Sequence, residues 1–351
     1  MTGPGRPANI ASRWTPALTL TRAGSHYRGH VSGIGVVLNP KSGRNLHDPG
    51  VASRLARALG HHGVLREAGS VDELYRIAED FRKDEIDVLA ISGGDGTNHV
   101  TLTGFLDVYG GAVMPQVALL RGGTMNTVAN SVGVGRGRPE GLLGRLVRQY
   151  AERGALELEN VERHVMRMAP ERGGKAQYGF LFGTGVMHGF LAEYYRGGQP
   201  SPLLALTTLA RAVGSAFVGG ETIRRIARPF HGSVTIDDDT TWQERDFLAV
   251  AAGTISHIGL QFKPFHRYAE RPDRFHLLGI HASPLSFVRE LPRIHRAEPM
   301  RPGKALEAVA SRAIVRSASG LLEYMIDGDL HEVAGELEVA IGPRVRLVVV
   351  R

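Results

Sequence analysis

Three times in its first third the chain runs an apolar stretch of strand length straight into a polar, glycine-bearing turn, and this alternation constrains the fold more than any other feature. The strands are Ile34 to Leu38, Asp87 to Ile91 and Val117 to Leu120. The turns read Asn39-Pro40-Lys41-Ser42-Gly43, Ser92-Gly93-Gly94-Asp95-Gly96-Thr97 and Arg121-Gly122-Gly123-Thr124-Met125-Asn126. Helical patterns fill the intervals: Val51 to Leu59, Asp72 to Phe81 with Leu74, Ile77, Ala78 and Phe81 on one face, and His99 to Val108. Strand and helix alternating at this spacing predict a parallel, doubly wound α/β sheet. Its three turns would converge on the carboxyl edge, where such sheets bind ligands. The glycine-rich segment Gly133 to Gly144 breaks the rhythm.

The second turn reads as a phosphate-handling loop. Its glycines let the backbone turn tightly and present amides to an anion with no Cβ in the way. Helix-compatible sequence from Thr97 onward would put the loop at a helix N-terminus, where free N–H groups and the macrodipole favour phosphate oxygens. Gly93, Gly94, Gly96 and Thr97 would contribute amides and a hydroxyl. Asn39, Ser42 and Gly43 from the first turn, and Gly123, Thr124 and Asn126 from the third, would complete a nucleotide cradle. Asp95 repels phosphate, so its natural partner is a divalent cation bridging to the phosphates, or a hydroxyl proton.

At 351 residues the chain exceeds the usual size of one core, so two domains are expected. The net charge of +7 is concentrated at the start: before Asp48 there is no acid, against Arg6, Arg13, Arg22, Arg28, Lys41 and Arg44. The remainder is close to neutral, which excludes a globally basic nucleic-acid binder. Residues 1–30 read as a flexible basic arm: a solvated tail, a tether to anionic membrane or a transit peptide. The absence of cysteine suits a reducing compartment. No apolar run approaches the roughly 20 residues needed to span a bilayer. A chain of this kind would be cytoplasmic and, where it meets a membrane, peripheral to it.

From about Leu156 the texture turns β-rich, with runs at Leu156 to Met168, Tyr178 to Phe182, Val234 to Ile236, Phe247 to Ala251, Phe275 to His281, Ala313 to Ser317 and Leu337 to Ile341. Few helical patterns separate them, so an antiparallel β-sandwich is expected. The exception is Pro202 to Gly220, an amphipathic helix followed by Arg224, Arg225 and Arg228. It packs on the core or offers a surface to lipid.

The order Asn39-Pro40-x-Ser42-Gly43, Gly93-Gly94-Asp95-Gly96-Thr97, Gly123-Thr124-x-Asn126 and, far downstream, Asp327-Gly328-Asp329 resembles the diacylglycerol kinase and sphingosine kinase superfamily of lipid kinases. The resemblance runs from about Val31 to the C-terminus. It implies a nucleotide-binding domain similar to that of NAD kinase and phosphofructokinase over 31–155, then a β-rich lipid-substrate domain over 156–351 with a helical insertion near 202–220. The last residues are free to return to the first domain, and nucleotide would sit in the cleft between the two. It further implies ATP and Mg2+ as cofactors, Asp95 as the magnesium-organising residue, and phosphoryl transfer to a lipid hydroxyl, most simply that of diacylglycerol. Asp329 takes the place of the general base, with Asp327 holding the turn through its side chain.

Several positions depart from the family pattern. Asp329 stands where glutamate is usual, Asn98-His99-Val100 where Ile-Asn-Glu is common, and Arg121-Gly122 where a Pro-x pair is usual. Thr127 replaces an aspartate, and Glu67 and Ala68 stand where a nucleotide-binding threonine is common. The segment Pro264 to Arg274 lacks the family's Asp-Gly turn and with it the basis for a structural magnesium site. Arg121 is an added phosphate contact or a solvated loop residue. Two alternatives to a lipid kinase follow: an NAD kinase-like enzyme, and a non-catalytic nucleotide-binding regulatory protein.

Other constellations are poor. Gly174-Lys175-Ala176 and Gly303-Lys304-Ala305 lack the spacing and hydroxyl of a phosphate-binding P-loop. Gly183-x-Gly185 with Gly189 mimics a dinucleotide fingerprint inside the β-rich half. Neither His61-His62 nor His331-Glu332 has zinc spacing, and none of the 15 histidines reads as a metal ligand. The expected partners are ATP and a lipid at a membrane surface, with no nucleic acid and with a homo-oligomer left open.

Overall fold

The computed structural model describes residues 33–171 and 173–351; the basic arm expected over 1–30 lies outside the described residues. These residues divide into two compact units, 33–162 with 345–351, and 163–344.

The first unit begins with β1 (Ile34–Leu38), α1 (Gly43–Leu46), α2 (Val51–Leu59), β2 (Gly63–Glu67), α3 (Val71–Lys83) and β3 (Val88–Ser92). It continues through α4 (Asp95–Tyr109), β4 (Gln116–Leu119), α5 (Thr127–Ser131) and α6 (Pro139–Arg153). All its strand pairings are parallel, in the order β4-β3-β1-β2. Residues Leu347 and Val348 add a further parallel edge beside Val117 and Ala118 of β4. Strands β1, β3 and β4 are buried along their whole length, as continuous apolar runs covered by helices on both faces must be.

Local chemistry sets the helix ends. Ser70 accepts the Glu73 backbone N–H (3.2 Å) at the start of α3, while the Glu73 carboxylate accepts the N–H of Gly69 at 2.7 Å. Asp72 and Glu73 in its first turn and Arg82 and Lys83 in its last complement the macrodipole. Leu74, Ile77, Ala78 and Phe81 form the buried stripe, and Phe81 meets Phe105 of α4 edge-on at 6.2 Å. The break expected over Gly133 to Gly144 ends sooner than the glycines suggest. Pro139 opens α6, and Leu142, Leu143, Leu146 and Val147 bury one face of it, enough to outweigh Gly141 and Gly144 within the helix.

The second unit holds β5 (Asn160–Pro170), β6 (Gln177–Gly179), β7 (Leu181–Thr184), α7 (Val186–Arg196), α8 (Pro202–Val218) and α9 (Glu221–Ile226). After them come β8 (Phe230–Ile236), β9 (Thr240–Phe247), β10 (Ala249–Gly253), β11 (Phe275–Ile280), α10 (Pro284–His295), β12 (Ala305–Ala310), β13 (Arg312–Ile326) and β14 (Asp329–Val348). The order β12-β11-β10-β7-β13-β14 is antiparallel throughout. Strand β13 shifts register between Arg316 and Leu321; before the shift it pairs with β8, after it with β7. Such an irregularity lets one strand serve two arms of sheet, whose inner faces share a core including Phe182, Trp242, Phe247, Phe275, Val315 and Leu337. Helix α10 has no counterpart in the sequence reading; Ser283 caps it, Pro284 opens it, and Pro292 lies inside it.

Helix α8 occupies the segment read as amphipathic, but its polarity is inverted. Its inner face is made of small residues, Ala205, Thr208, Ala212 and Ala216, while Leu203, Leu206, Phe217 and Val218 are more than half exposed. No helix among the described residues is long and apolar enough to cross a membrane.

Candidate nucleotide site and the Asp-Gly hairpin

Strand order places the candidate site. From β1 the chain passes outward to β2, then returns to β3 on the other side of β1 and continues to β4. The turns after β1 and β3 therefore flank the point where the winding reverses, the crevice in which open α/β sheets receive ligands. The turn after β4 lies next to them.

The three turns pack glycine on glycine. A Cβ on Gly123 would stand 2.2 Å from the Cα of Gly94, one on Gly122 would stand 2.9 Å from the Gly93 nitrogen, and one on Gly43 3.1 Å from the Gly123 Cα. A Cβ on Gly93 would meet the Thr97 side chain at 2.3 Å. Close approach, rather than backbone handedness, is what demands glycine here: Gly94 has φ −93°, and of the glycines on these turns only Gly43 has a positive φ.

Buried amides tie the turns together. Asn39 donates from Nδ2 to Thr97 Oγ1 (3.0 Å) and accepts the Lys41 N–H at Oδ1 (2.9 Å). Ser42 Oγ donates to the Asn39 carbonyl at 3.2 Å, and the Arg44 N–H donates to the Gly122 carbonyl at 3.0 Å. Asn126, in the left-handed region at φ 50°, accepts the Gly123 N–H at Oδ1 and donates from Nδ2 to the Gly123 carbonyl. The side chains of Asn39, Ser42 and Asn126 thus brace the loops. Asn45, which the sequence reading passes over, belongs to the same brace: its Nδ2 donates to the carbonyls of Asn39 (3.0 Å) and Ser92 (2.9 Å). An isolated asparagine near a turn carries no signal that would have distinguished it.

Helix α4 starts at Asp95, two residues earlier than the glycines suggest, so Asp95, Gly96 and Thr97 form its first turn with Gly94 as the cap. Asp95 also reaches across to α5, where its Oδ2 accepts the Thr127 N–H (2.9 Å) and its Oδ1 the Val128 N–H (3.4 Å). Burial pushes this carboxyl above the ordinary carboxylate range, against the pull of those N–H groups and of Arg121. A carboxylate has roughly four lone-pair positions, so two N–H bonds and the Thr127 hydroxyl leave room for one further partner such as a cation.

Arg121 is not a solvated loop residue. Its backbone is left-handed at φ 55°, and its guanidinium donates to the Val134 carbonyl (3.1 Å) and to Asn130 Oδ1. Burial, then the charges of Arg136 and Arg44, lower its pKa. Arg44 and Arg136, from two other segments, therefore lie within electrostatic range of Arg121. Charges of one sign brought this close favour an anion nearby.

Asp327 and Asp329 belong to the second unit. Asp327 and Gly328, with φ 44° and 98°, form the two-residue turn of the β13–β14 hairpin, in which Ile326 pairs with Asp329. Positive φ at both central positions is the conformation for which Asp-Gly is favoured. Asp327 holds more than its own turn: its carboxylate, 1% exposed, accepts the N–H of Phe180 and of Leu181 at 2.8 to 3.0 Å and so fastens the start of β7. Tyr195 of α7 donates to the Gly328 carbonyl at 2.7 Å. Asp329 opens β14 and is buried.

A search of curated proteins finds no match for this chain. Among solved structures it is similar to a diacylglycerol kinase from Bacillus anthracis str. Sterne, at 13% identity and TM-score 0.58, covering 91% of this chain and 97% of that one. A second structure from the same organism, described provisionally as a diacylglycerol kinase, matches at 14% identity and TM-score 0.61 over 91% and 97% of the two chains. At such identities the likeness speaks for the fold. The family model of the diacylglycerol kinase catalytic domain matches residues 33–156, the stretch that carries all three glycine turns. Residues 33–156 are therefore similar to the diacylglycerol kinase catalytic domain, and the whole chain shares the fold of these structures.

Proposed function

We propose that this protein is an ATP-dependent kinase that transfers the γ-phosphoryl group to a lipid hydroxyl, with diacylglycerol as the acceptor. The observation that carries the reading is the junction of the three turns at the β1/β3 reversal, packed glycine on glycine, with Arg121 on the third turn in electrostatic range of Arg44 and Arg136. Backbone amides of Gly93, Gly94 and Gly96, with the hydroxyls of Thr97 and Thr124, bind the phosphates, while the Gly123 N–H is held by Asn126. Asn39, Ser42, Gly43 and Asn126 hold these groups in place. Asp95 fits a magnesium ion: it is an oxygen donor with free lone pairs, and burial favours neutralising its charge. Bound magnesium would offset charge developing on the transferring phosphoryl group. Asp329 orients or deprotonates the lipid hydroxyl.

The exposed residues Leu203, Leu206, Phe217 and Val218 on α8 support a peripheral encounter with lipid, because large apolar side chains turned outward gain by entering an interface. The test is incubation with γ-labelled ATP and, separately, diacylglycerol, a sphingoid base and NAD. Label in diacylglycerol alone supports the reading, and label in NAD alone replaces it with the NAD kinase-like one. No transfer despite tight ATP binding would make the protein a nucleotide-binding regulator.

A further inference from the structure

Away from the glycine turns, and wholly within the second unit, two histidines and a glutamate from three separate segments converge. His276 lies on β11 and Glu307 on β12; His276 pairs with Val309 and Leu278 with Glu307, so His276 and Glu307 are diagonal neighbours on one face of the sheet. His266 comes from the connection before β11, anchored by the fully buried Phe265, whose ring meets His276 edge-on. The Nε2 atoms of His266 and His276 each lie 3.5 Å from the same oxygen, Glu307 Oε2, and the three ligand atoms all fall within 4.8 Å of one another.

These separations are too long for good hydrogen bonds, which run at about 2.7 to 3.2 Å. They match the edge of a tetrahedron around a metal: bonds of about 2.1 Å at the tetrahedral angle put neighbouring ligands about 3.4 Å apart. Burial sharpens the consequence of that spacing. His276 is fully buried, and its Nε2 has no hydrogen-bond partner, an arrangement that costs stability unless something at that atom compensates it.

We propose that His266 Nε2, His276 Nε2 and Glu307 Oε2 bind a divalent transition ion, zinc by preference, with the remaining position open to solvent. Two imidazoles and one carboxylate are the donor set of open zinc sites, whereas magnesium takes oxygen ligands. His266 and Glu307 are about one-fifth exposed, at 19% and 22%, which gives the ion a route in. Arg267 does not neutralise the carboxylate by pairing with it, because its guanidinium is held by Glu270 at 2.6 and 2.9 Å. The Arg267 backbone N–H approaches His276 Nδ1 at 3.4 Å, which favours the proton on Nε2 without metal; on binding, that proton moves to Nδ1 and this long contact is given up. The ion would clip the 264–274 connection onto the β11–β12 edge.

The site owes nothing to the nucleotide reading, and its test is separate. Full-length protein stripped with a chelator is titrated with zinc by calorimetry and with cobalt(II) by visible absorption, alongside His266→Ala and Glu307→Gln. Both substitutions are at partly exposed positions and are checked for folding by circular dichroism. We expect one equivalent of zinc, the intense bands of four- or five-coordinate cobalt, and a higher melting temperature with zinc in the wild type. Each variant should lose about 100-fold or more in affinity, since even outer partners of metal ligands are worth 10- to 100-fold. Failure of the stripped wild type to bind a stoichiometric ion overturns the proposal. So does equal affinity in folded variants, which would assign the binding to scattered surface histidines.

Discussion

Asp-Gly occurs at both candidate centres, once in each unit, and the two copies do opposite things with the same chemistry. Asp95-Gly96 continues a parallel strand into a helix, while Asp327-Gly328 folds an antiparallel strand back on itself. In both places the aspartate accepts backbone N–H groups from a segment distant in sequence, Thr127 and Val128 in one case and Phe180 and Leu181 in the other. Asp327 is sealed, and its oxygens serve the fold. Asp95 is only partly buried, keeps acceptor capacity and feels the charge of Arg121. The pair teaches that a carboxylate near glycine becomes a sealed brace or keeps acceptor capacity according to how completely the surrounding backbone closes over it.

The largest effect expected from breaking this comparison is at Asp329, beside the sealed turn. Asp329→Asn should cut turnover by about 10² to 10⁴ with ATP affinity nearly unchanged, as for a lost general base. Asp329→Glu, restoring the residue usual in the family, should keep or raise activity. Steady-state rates beside calorimetry with Mg·ATP decide it; full turnover in Asp329→Asn would move the role to Asp95, whose own asparagine variant should weaken metal-dependent nucleotide binding as well as turnover.

Next comes Asp327→Ala. It leaves the buried N–H groups of Phe180 and Leu181 without their acceptor and should lower stability by about 3 kcal/mol or more in urea unfolding. A loss below about 1 kcal/mol would show that water replaces the carboxylate and that the turn is not sealed. A smaller effect is expected at Gly94, where a Cβ would lie 3.2 Å from Gly123 Cα, a tight contact but not an impossible one. Gly94→Val should reduce ATP affinity at least about tenfold, near 1.4 kcal/mol, in a folded protein. Its cause is crowding against Gly123 and the phosphate, so Gly94→Ala should fall between.

The smallest effects concern surface and pH. Leu206→Ser with Phe217→Ser should weaken co-sedimentation with diacylglycerol-containing vesicles several-fold and leave ATP binding alone; unchanged co-sedimentation would separate α8 from the lipid. Because the folded-state pKa of Asp95 is raised, the folded protein binds more protons than the unfolded chain between the ordinary carboxylate value, about 3.9, and that raised value. Stability from this group is therefore present at low pH and declines as pH rises through that window. Asp95→Asn should flatten the decline in pH-dependent urea unfolding, and an unaltered pH profile would mean that the carboxylate is not perturbed.

The α/β class of the first unit was legible because β1, β3 and β4 are apolar along their length and end in glycine turns. The β-rich character of the second was legible from its runs, although β9, β12 and most of β14 were not, being alternating or charged where they face solvent. Helix α6 was hidden by Gly141 and Gly144, whose cost is local while the burial of four large apolar residues acts over the whole helix. Pro292 and a polar face concealed α10 in the same way. The early start of α4 was missed because Gly96 reads as loop, yet the Gly94 carbonyl accepts the Asn98 N–H at 2.9 Å and closes the first turn around it.

What the sequence determined by itself was the identity and order of the candidate pieces: three glycine turns after three strands, and a late Asp-Gly-Asp. These are local facts, since backbone freedom at glycine and strand-length apolarity need only near neighbours to be read. What only the tertiary structure decided was partnership. That Gly94 needs no side chain because Gly123 lies against it, that Asp327 holds β7, and that His266, His276 and Glu307 meet, all follow from strand order and register. Contacts between residues far apart in the chain are set by which strands pair and by how many residues they are offset, and a one-residue slip would turn each of these side chains to the other face.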